Sequence, residues 1–322
     1  MPIEVSRLSK RFGNLWVLRD IEFSVPDGCI FGICGGSSTG KTTLLNVIAG
    51  KAKPNGGSVS LGGHDLTKVK ANERDITYIT NRLAPTVFGM FRGSPKESSG
   101  ERQFKAFDEA IANTGKVLLL DDAFNQMDEH LRQECFVRLR RAARSRDRIV
   151  IFATSDFEQI AAVADEAAIL AGSYVIQTGT PQDIYENPET VAAAAISGDN
   201  NLFEARRLTS TDADLPEFHT IDGGHRIFAQ HTDKNRLGAI NKNMTLAIRP
   251  EQISMSMGAS FPEDNLLRAI VTNVKFRGAT SLIEFDAGGL KLEARVFKVV
   301  GLNVGDECML GLPPHRIVIL KD

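Results

Sequence analysis

Eight residues, Gly35-Gly36-Ser37-Ser38-Thr39-Gly40-Lys41-Thr42, match the pattern GxxxxGK[ST] in full. The chemistry this spacing serves is phosphate binding. Glycines let the backbone wrap tightly enough for its N–H groups to point inward at phosphate oxygens. A helix starting at the end of the loop adds the positive end of its dipole. Lys41 can then reach the β- and γ-phosphates of a nucleotide, and Thr42 can hold Mg²⁺. Chance gives such a match in about 1% of chains this long. A loop of this kind also needs an acidic strand end for the metal. Residues 116–122 (KVLLLDD) supply one: four apolar residues ending in Asp121. Asp121 would hold the ion or its bound water, and Asp122 would sit nearest an attacking water. The bland alternative is a surface acidic pair after a buried strand.

These side chains need a scaffold, and the surrounding pattern supplies it. Residues 21–25 (IEFSV) and 29–34 (CIFGIC) read as strands parted by the turn Pro26-Asp27-Gly28. Residues 42–49 read as a helix stopped by Gly50, with Pro54 beyond. Residues 117–120 and 148–153 read as buried strands, with a charged amphipathic helix over 129–146 between them. Strands alternating with helices predict a parallel sheet, hence an α/β P-loop NTPase core. Beyond about residue 200, helical periodicity fades. Short β-rich runs follow at 225–230, 244–248, 269–276, 281–285, 290–296 and 316–320, parted by turns such as Asp222-Gly223-Gly224. They predict a small all-β barrel or sandwich. The boundary is expected at residues 198–201, giving domains 1–199 and 200–322.

Composition bounds the rest. The chain has 322 residues, 42% hydrophobic and 24% charged, with 28 Gly and 12 Pro. Two domains are expected from such a length, and collagen, low-complexity disorder and disulfide mini-scaffolds are excluded. Net charge is −2, which argues against nucleic acid as a partner. The one dense basic run, residues 138–148 (RLRRAARSRDR), reads first as a solvated helix face. Cys29, Cys34, Cys135 and Cys308 form no CxxC pair and are expected as free thiols in a reducing compartment. The start, MPIEVSRLSKRFG, does not read as a signal peptide, and no run approaches 18 apolar residues. Work at a membrane would need a partner's spans.

Further motifs extend the picture. They are Lys10-Arg11-Phe12-Gly13, the run 39–43 with Leu44-Leu45 and Ile48-Ala49-Gly50, and Gly56-Gly57-Ser58-Val59 with Gly62-Gly63-His64-Asp65-Leu66. Asn125-Gln126-Met127-Asp128, residues 179–188 (GTPQDIYENP) and residues 246–251 (LAIRPE) continue the series. Together they resemble the ATP-binding subunits of ABC importers that carry a C-terminal TOBE/OB-like β-domain, over nearly the whole chain. The resemblance implies an ATPase with ATP and Mg²⁺ as cofactors. It implies Phe12 stacked on adenine, with Trp16 as the alternative. Gly35, Gly36, Ser37, Ser38, Thr39, Gly40, Lys41, Thr42 and Thr43 would hold the phosphates, and Thr42 and Asp121 the metal. It implies a second ATP-binding subunit in a homo- or heterodimer, transmembrane permease subunits and, indirectly, an extracytoplasmic solute-binding protein. The place implied is the cytoplasm, at the inner face of the membrane.

The same resemblance exposes departures. The family's usual Glu after the metal Asp is here Asp122, one methylene shorter. Its switch His is replaced in Thr154-Ser155-Asp156 by Ser155, which lacks the imidazole's reach and charge. The signature LSGGQ is here Glu97-Ser98-Ser99-Gly100-Glu101. Ser98, Ser99 and Gly100 would close on the partner's ATP, with two extra carboxylates weakening closure unless Arg102 or Lys96 offsets them. The Q-loop position falls on Asn81. Only 15 residues separate it from Glu97, where the family fits several dozen, so the helical subdomain is truncated.

Three functions follow: a degenerate importer subunit paired with a second ATPase, a non-transporting regulatory or structural ATP-binding module, and an efficient ATPase that tolerates the changes. Asn201-Leu202-Phe203 and Glu263-Asp264-Asn265 resemble the polyamine/ferric-iron branch, though sugar-importer ATPases share the domain type. His219, His225 and His231 read as chance spacing rather than a metal site.

Overall fold

The computed structural model describes residues 1–80, 98–112, 115–145, 147–209, 215–229, 237–257, 265–297 and 301–321. Two compact units emerge, Met1–Ile184 and Tyr185–Asp322.

The first unit opens with a β1 (Ile3–Phe12) and β2 (Leu15–Val25) hairpin turned at Gly13. Then come β3 (Ile30–Cys34), α1 (Lys41–Ile48), β4 (Gly56–Leu61) and β5 (His64–Asp65). They are followed by β6 (Ile76–Thr80), α2 (Ser99–Ala112), β7 (Val117–Asp121) and α3 (Glu129–Ser145). The unit continues through β8 (Ile149–Thr154), α4 (Phe157–Val163), β9 (Glu166–Ala171) and β10 (Tyr174–Gly179), and α5 (Pro181–Glu186) crosses the division between the units.

The main sheet runs β10-β9-β3-β8-β7-β6, parallel apart from the edge strand β10. Its inner strands are buried on both faces, which is why they read as continuous apolar runs rather than alternating ones. A second, antiparallel sheet runs β2-β1-β4-β5. Leu44, Leu45, Val47 and Ile48 of α1 share one core with Ile3, Val5 and Leu8 of that sheet and with Val117, Leu119, Ile149 and Ile151 of the parallel one. The aromatic cluster Phe107, Phe124, Phe136 and Phe152 packs edge to face and joins α2 and α3 to β8.

Register decides where the functional loops emerge. Thr80 of β6 pairs Asp121 of β7, Asp121 pairs Ala153 of β8, and Thr154 of β8 pairs Cys34 of β3. Four strands therefore end on one line, and the phosphate loop, the Asp121-Asp122 pair and Ser155 all leave the sheet from that edge. This is where open α/β sheets bind ligands.

The second unit begins with α6 (Val191–Ser197) and continues through β11 (Asn201–Arg207), β12 (Glu217–Thr220), β13 (Arg226–Phe228), β14 (Asn243–Ile248) and β15 (Ser254–Ser256). Then come β16 (Asn265–Phe276), β17 (Ser281–Ala287), β18 (Leu290–Val296), β19 (Glu307–Leu312) and β20 (Val318–Leu320). Two five-stranded sheets, β13-β12-β11-β14-β20 and β15-β19-β16-β17-β18, enclose one core. Residues along β16 alternate buried and exposed, as a one-sided antiparallel strand requires.

The units divide earlier than residues 199/200. Arg249, only 2% exposed, explains the difference. Its guanidinium donates to the Tyr185 carbonyl, the Asp199 carbonyl and the Ser197 hydroxyl, and stacks 3.8 Å over the Tyr185 ring. Thr190 bridges to Lys321, and Ala194 packs on Ala247 and Leu320. Residues 185–199 are thus built into the β-rich unit.

The basic run 138–148 is only partly a solvated face. Arg138 pairs with Asp108 and Glu134, and Arg144 pairs with Asp165. Arg148 is buried at 2% exposure and donates to the Ile111 carbonyl.

Candidate nucleotide site

The phosphate loop bridges the end of β3 and the start of α1. Gly40 precedes the helix at φ +107°, a conformation that L side chains rarely adopt. A Cβ there would also come within 2.9 Å of the Val17 carbonyl on β2. The glycine thus serves both the turn and the close approach of the hairpin. Lys41 is nine-tenths buried, and its Nζ donates to the Gly35 carbonyl at 2.7 Å and the Gly36 carbonyl at 2.9 Å. The ammonium therefore sits in the curve of its own loop. Ser37 and Ser38 are exposed, and the Thr39 hydroxyl donates to the Gly36 carbonyl. Thr43 is half-buried on the first turn of α1.

Thr42 faces the end of β7. Its Oγ1 donates to Asp121 Oδ1 at 3.2 Å, and the Tyr78 hydroxyl donates to Asp121 Oδ2 at 3.2 Å. Burial pushes the Asp121 carboxyl above the usual range, and the two hydroxyl hydrogen bonds oppose that shift. Burial likewise raises the Tyr78 phenol, with the Asp121 charge second. A cavity of about 380 Å³ opens beside this pair, lined by Thr42, Asn46, Lys51, Tyr78, Thr80, Asp121 and Asp122. The donor set suits Mg²⁺. Neighbouring ligands of an octahedral site with arms of about 2.1 Å lie about 3 Å apart, close to the 3.2 Å between Thr42 Oγ1 and Asp121 Oδ1. Both donors are hard oxygens.

Asp122 has φ +51°, in the left-handed region that Asp tolerates better than most residues. Its N–H donates to the Ala153 carbonyl, and its Oδ1 accepts from Asn125 Nδ2 at 3.1 Å. Asn125 Oδ1 accepts from Gln159 Nε2 at 3.3 Å, and the same Nε2 donates to Asp156 Oδ2 at 3.0 Å. A chain of amides thus links Asp122 to Asp156, which caps α4 through the Glu158 N–H. Ser155, between β8 and that cap, is exposed.

The Ser98-to-Gly100 segment begins α2 and does not line the cavity. Ser98 and Glu101 form a reciprocal cap: the Ser98 N–H donates to Glu101 Oε2 at 2.8 Å, and the Glu101 N–H donates to Ser98 Oγ at 3.2 Å. Ser99 is exposed. Gly100 is buried, where a Cβ would meet the Gln126 carbonyl at 2.9 Å. Phe12 is 56% exposed with Lys10 Nζ 4.9 Å from its ring centre. The guanidiniums of Arg11 and Arg19 lie 5.6 and 5.9 Å from the centre of the Trp16 ring. Asn81 and Glu97 lie outside the described residues. So does His231, while His225 Nε2 meets the Ala287 carbonyl at 2.6 Å.

Tyr78, Thr80, Asn46, Lys51 and Gln159 do not stand out from the sequence pattern, and Asn125 does so only as part of the run 125–128. Two faint signals point to three of them. Asn46 lies four residues after Thr42 on one helix face, and Tyr78 and Thr80 alternate on one face of β6.

Comparison with known proteins follows the same division. Residues 18–94 match the ABC transporter family, and residues 246–320 match the TOBE domain. An Fe(3+) ions import ATP-binding protein, FbpC of Photorhabdus laumondii, is 26% identical, with 99% of this chain and 97% of that protein covered. The spermidine/putrescine import ATP-binding protein PotA of Clostridioides difficile is 26% identical with the same coverage. The sulfate/thiosulfate import ATP-binding protein CysA of Bacillus cereus is 27% identical, covering 86% of this chain and 92% of that protein. A solved dimeric ATP-binding cassette, MJ0796 bound to ADP and phosphate, aligns at 18% identity and TM-score 0.49 over 56% of this chain.

Proposed function

From a chain that joins an ABC transporter domain to a TOBE domain and resembles importer ATP-binding proteins from end to end, we propose that it is the ATP-binding subunit of a solute importer. The observation that carries this reading is the pairing of Thr42 with Asp121 beside the phosphate loop, at the shared edge of β3, β7 and β8.

Each residue has a role that its surroundings support. Phosphate oxygens draw Lys41 off the Gly35 and Gly36 carbonyls, and the freed ammonium neutralises their charge. The first-turn N–H groups of Lys41, Thr42 and Thr43 add the positive end of the α1 dipole. Mg²⁺, when bound, would neutralise phosphate charge between Thr42 and Asp121. Phe12 offers an exposed ring to adenine. Asp122 orients the attacking water, with Asn125 fixing one of its oxygens. Ser155 adds a hydroxyl to the water's surroundings from the end of β8, and Asn81 is assigned the Q-loop role by its place in the sequence alone.

Hydrolysis on this half-site is slow. Asp122 ends about 1.5 Å short of where a glutamate would reach, and proton transfer is sensitive to smaller displacements. Ser155 supplies no imidazole. Ser98, Ser99 and Gly100 face the nucleotide of a second ATP-binding subunit, so the working pair is asymmetric and most hydrolysis occurs in the partner's site. Permease subunits supply the membrane part. Among the described residues, no helix is long and apolar enough to cross a membrane. The site of work is the cytoplasmic face of that membrane, with a solute-binding protein acting on the far side.

The test is ATP turnover by the purified chain alone. Slow turnover with firm nucleotide binding supports the reading. Turnover at rates typical of importer ATPases, abolished by Asp122→Asn, overturns the asymmetric pair. Failure to co-purify with any permease favours the second reading, a non-transporting regulatory or structural module, which Ser155 also favours.

A further inference from the structure

Among the described residues, Tyr78 is the one side chain hydrogen-bonded to the metal-facing carboxylate that the phosphate-loop chemistry does not call for. Its hydroxyl occupies Asp121 Oδ2, while Thr42 occupies Oδ1. Both carboxylate oxygens are thus satisfied by neutral donors. Lys51 Nζ stands 4.0 Å from the centre of the Tyr78 ring, and both residues line the same cavity as Asp121. A cation on the ring face draws electron density from the phenol and makes its O–H a stronger donor.

We propose that Tyr78, polarised by Lys51, is a positioning residue that holds Asp121 in a metal-ready rotamer while weakening its grip on the divalent cation. This inference rests on the nucleotide-site reading above. The physics is a linkage. A hydrogen bond to a free carboxylate is charge-assisted and strong. Once a divalent cation binds the same carboxylate, it withdraws negative charge, and the Tyr78 hydrogen bond weakens. A donor that stabilises the metal-free state more than the metal-bound state lowers metal affinity, and the metal lowers the donor's hold in equal measure. The difference between a charged and a neutral hydrogen bond corresponds to about fivefold in affinity. The site would then release its metal, and the nucleotide the metal holds, more readily than a site with an apolar residue at 78.

The experiment measures Mn²⁺ binding to the full chain by the EPR signal of the free ion, with a non-hydrolysable ATP analogue at saturation. Wild type, Tyr78→Phe, Lys51→Met and the double variant are compared. Tyr78→Phe is expected to tighten Mn²⁺ about fivefold. Lys51→Met should tighten it by a smaller factor in the presence of Tyr78 and leave it unchanged in the Tyr78→Phe background. Unchanged or weaker Mn²⁺ binding in Tyr78→Phe overturns the proposal. A Lys51→Met effect of equal size in both backgrounds overturns the relay through the ring and assigns Lys51 to direct repulsion. Lys51 is exposed, so its single variant keeps the proposal refutable if Tyr78→Phe folds poorly: Mn²⁺ binding unchanged or weakened in Lys51→Met then overturns it. If wild type itself binds no analogue, the nucleotide-site reading fails. If it binds and Tyr78→Phe matches it, only the present inference fails.

Discussion

Replacing Arg249 by methionine should destabilise the β-rich unit by about 3 kcal/mol. The side chain is 2% exposed and makes three separate polar attachments. Nε and Nη2 share the Tyr185 carbonyl at 3.2 and 2.6 Å, Nη1 reaches the Asp199 carbonyl at 3.1 Å, and Nη2 reaches Ser197 Oγ at 2.8 Å. Hydrogen bonds from a charged donor contribute about 1.5–3 kcal/mol each, so three attachments give a gross loss of about 6. Methionine returns part of it, because the buried guanidinium no longer pays a desolvation cost of several kcal/mol. Stacking on Tyr185 is largely kept by an unbranched side chain of similar length. A net 3 kcal/mol corresponds to a fall of about 10 °C in the melting temperature of a unit this size. Far-UV circular dichroism follows the secondary structure of both units, so the β-rich unit is read from the part of that transition that tryptophan fluorescence does not share. Trp16, the single tryptophan, reports the first unit by fluorescence. The expected result is a large shift in the first signal and little in the second. A dichroism transition within 2 °C of wild type would refute the assignment of Arg249 as the clamp on residues 185–199.

Three further outcomes follow from the site and its frame. Asp122→Glu should raise turnover by about tenfold, read in a coupled phosphate-release assay, because it restores the missing reach; a fall would show that the positive φ at position 122 matters more. Ser98→Ala removes one half of the reciprocal cap on α2 and should cost about 1 kcal/mol in urea unfolding, with no change expected if the cap is idle. Burial pushes the Cys29, Cys34 and Cys135 thiols to about 12. Roughly one in ten thousand is then ionised at pH 8, so a thiol reagent should label the native chain slowly and all four cysteines rapidly in denaturant. The sign for stability is set by the same shift. Between the unfolded value of 9.0 and about 12, only the unfolded chain loses these protons, so stability falls as pH rises through that window.

The phosphate loop was legible in the sequence because its chemistry is contiguous: one turn, one helix start, one lysine. The inner strands were legible because burial on both faces leaves an unbroken apolar run, as in residues 117–120 and 149–153. Strand β11 was not, since Glu204 and Arg206 alternate with buried Phe203 and Ala205 and break the run. Strands β12, β15 and β19 are short or carry a mixed pattern and give no clearer signal. What the sequence hid at the site was contact across elements. Tyr78 meets Asp121 only because β6 and β7 pair in the register Thr80 to Asp121. Asn125 and Gln159 meet only because the loop after β7 passes the start of α4. Arg249 stood out as part of a recognised motif, but its partners 50 to 64 residues away are set by packing.

The central claim is that Lys41 and the loop around it bind the phosphates of ATP. Its most direct test is equilibrium binding of a fluorescent ATP analogue with Mg²⁺ to the purified chain and to Lys41→Ala. The account predicts saturable binding by the wild type, displaced by ATP, and a loss of at least tenfold in affinity in the variant. Equal binding by the two proteins would contradict it.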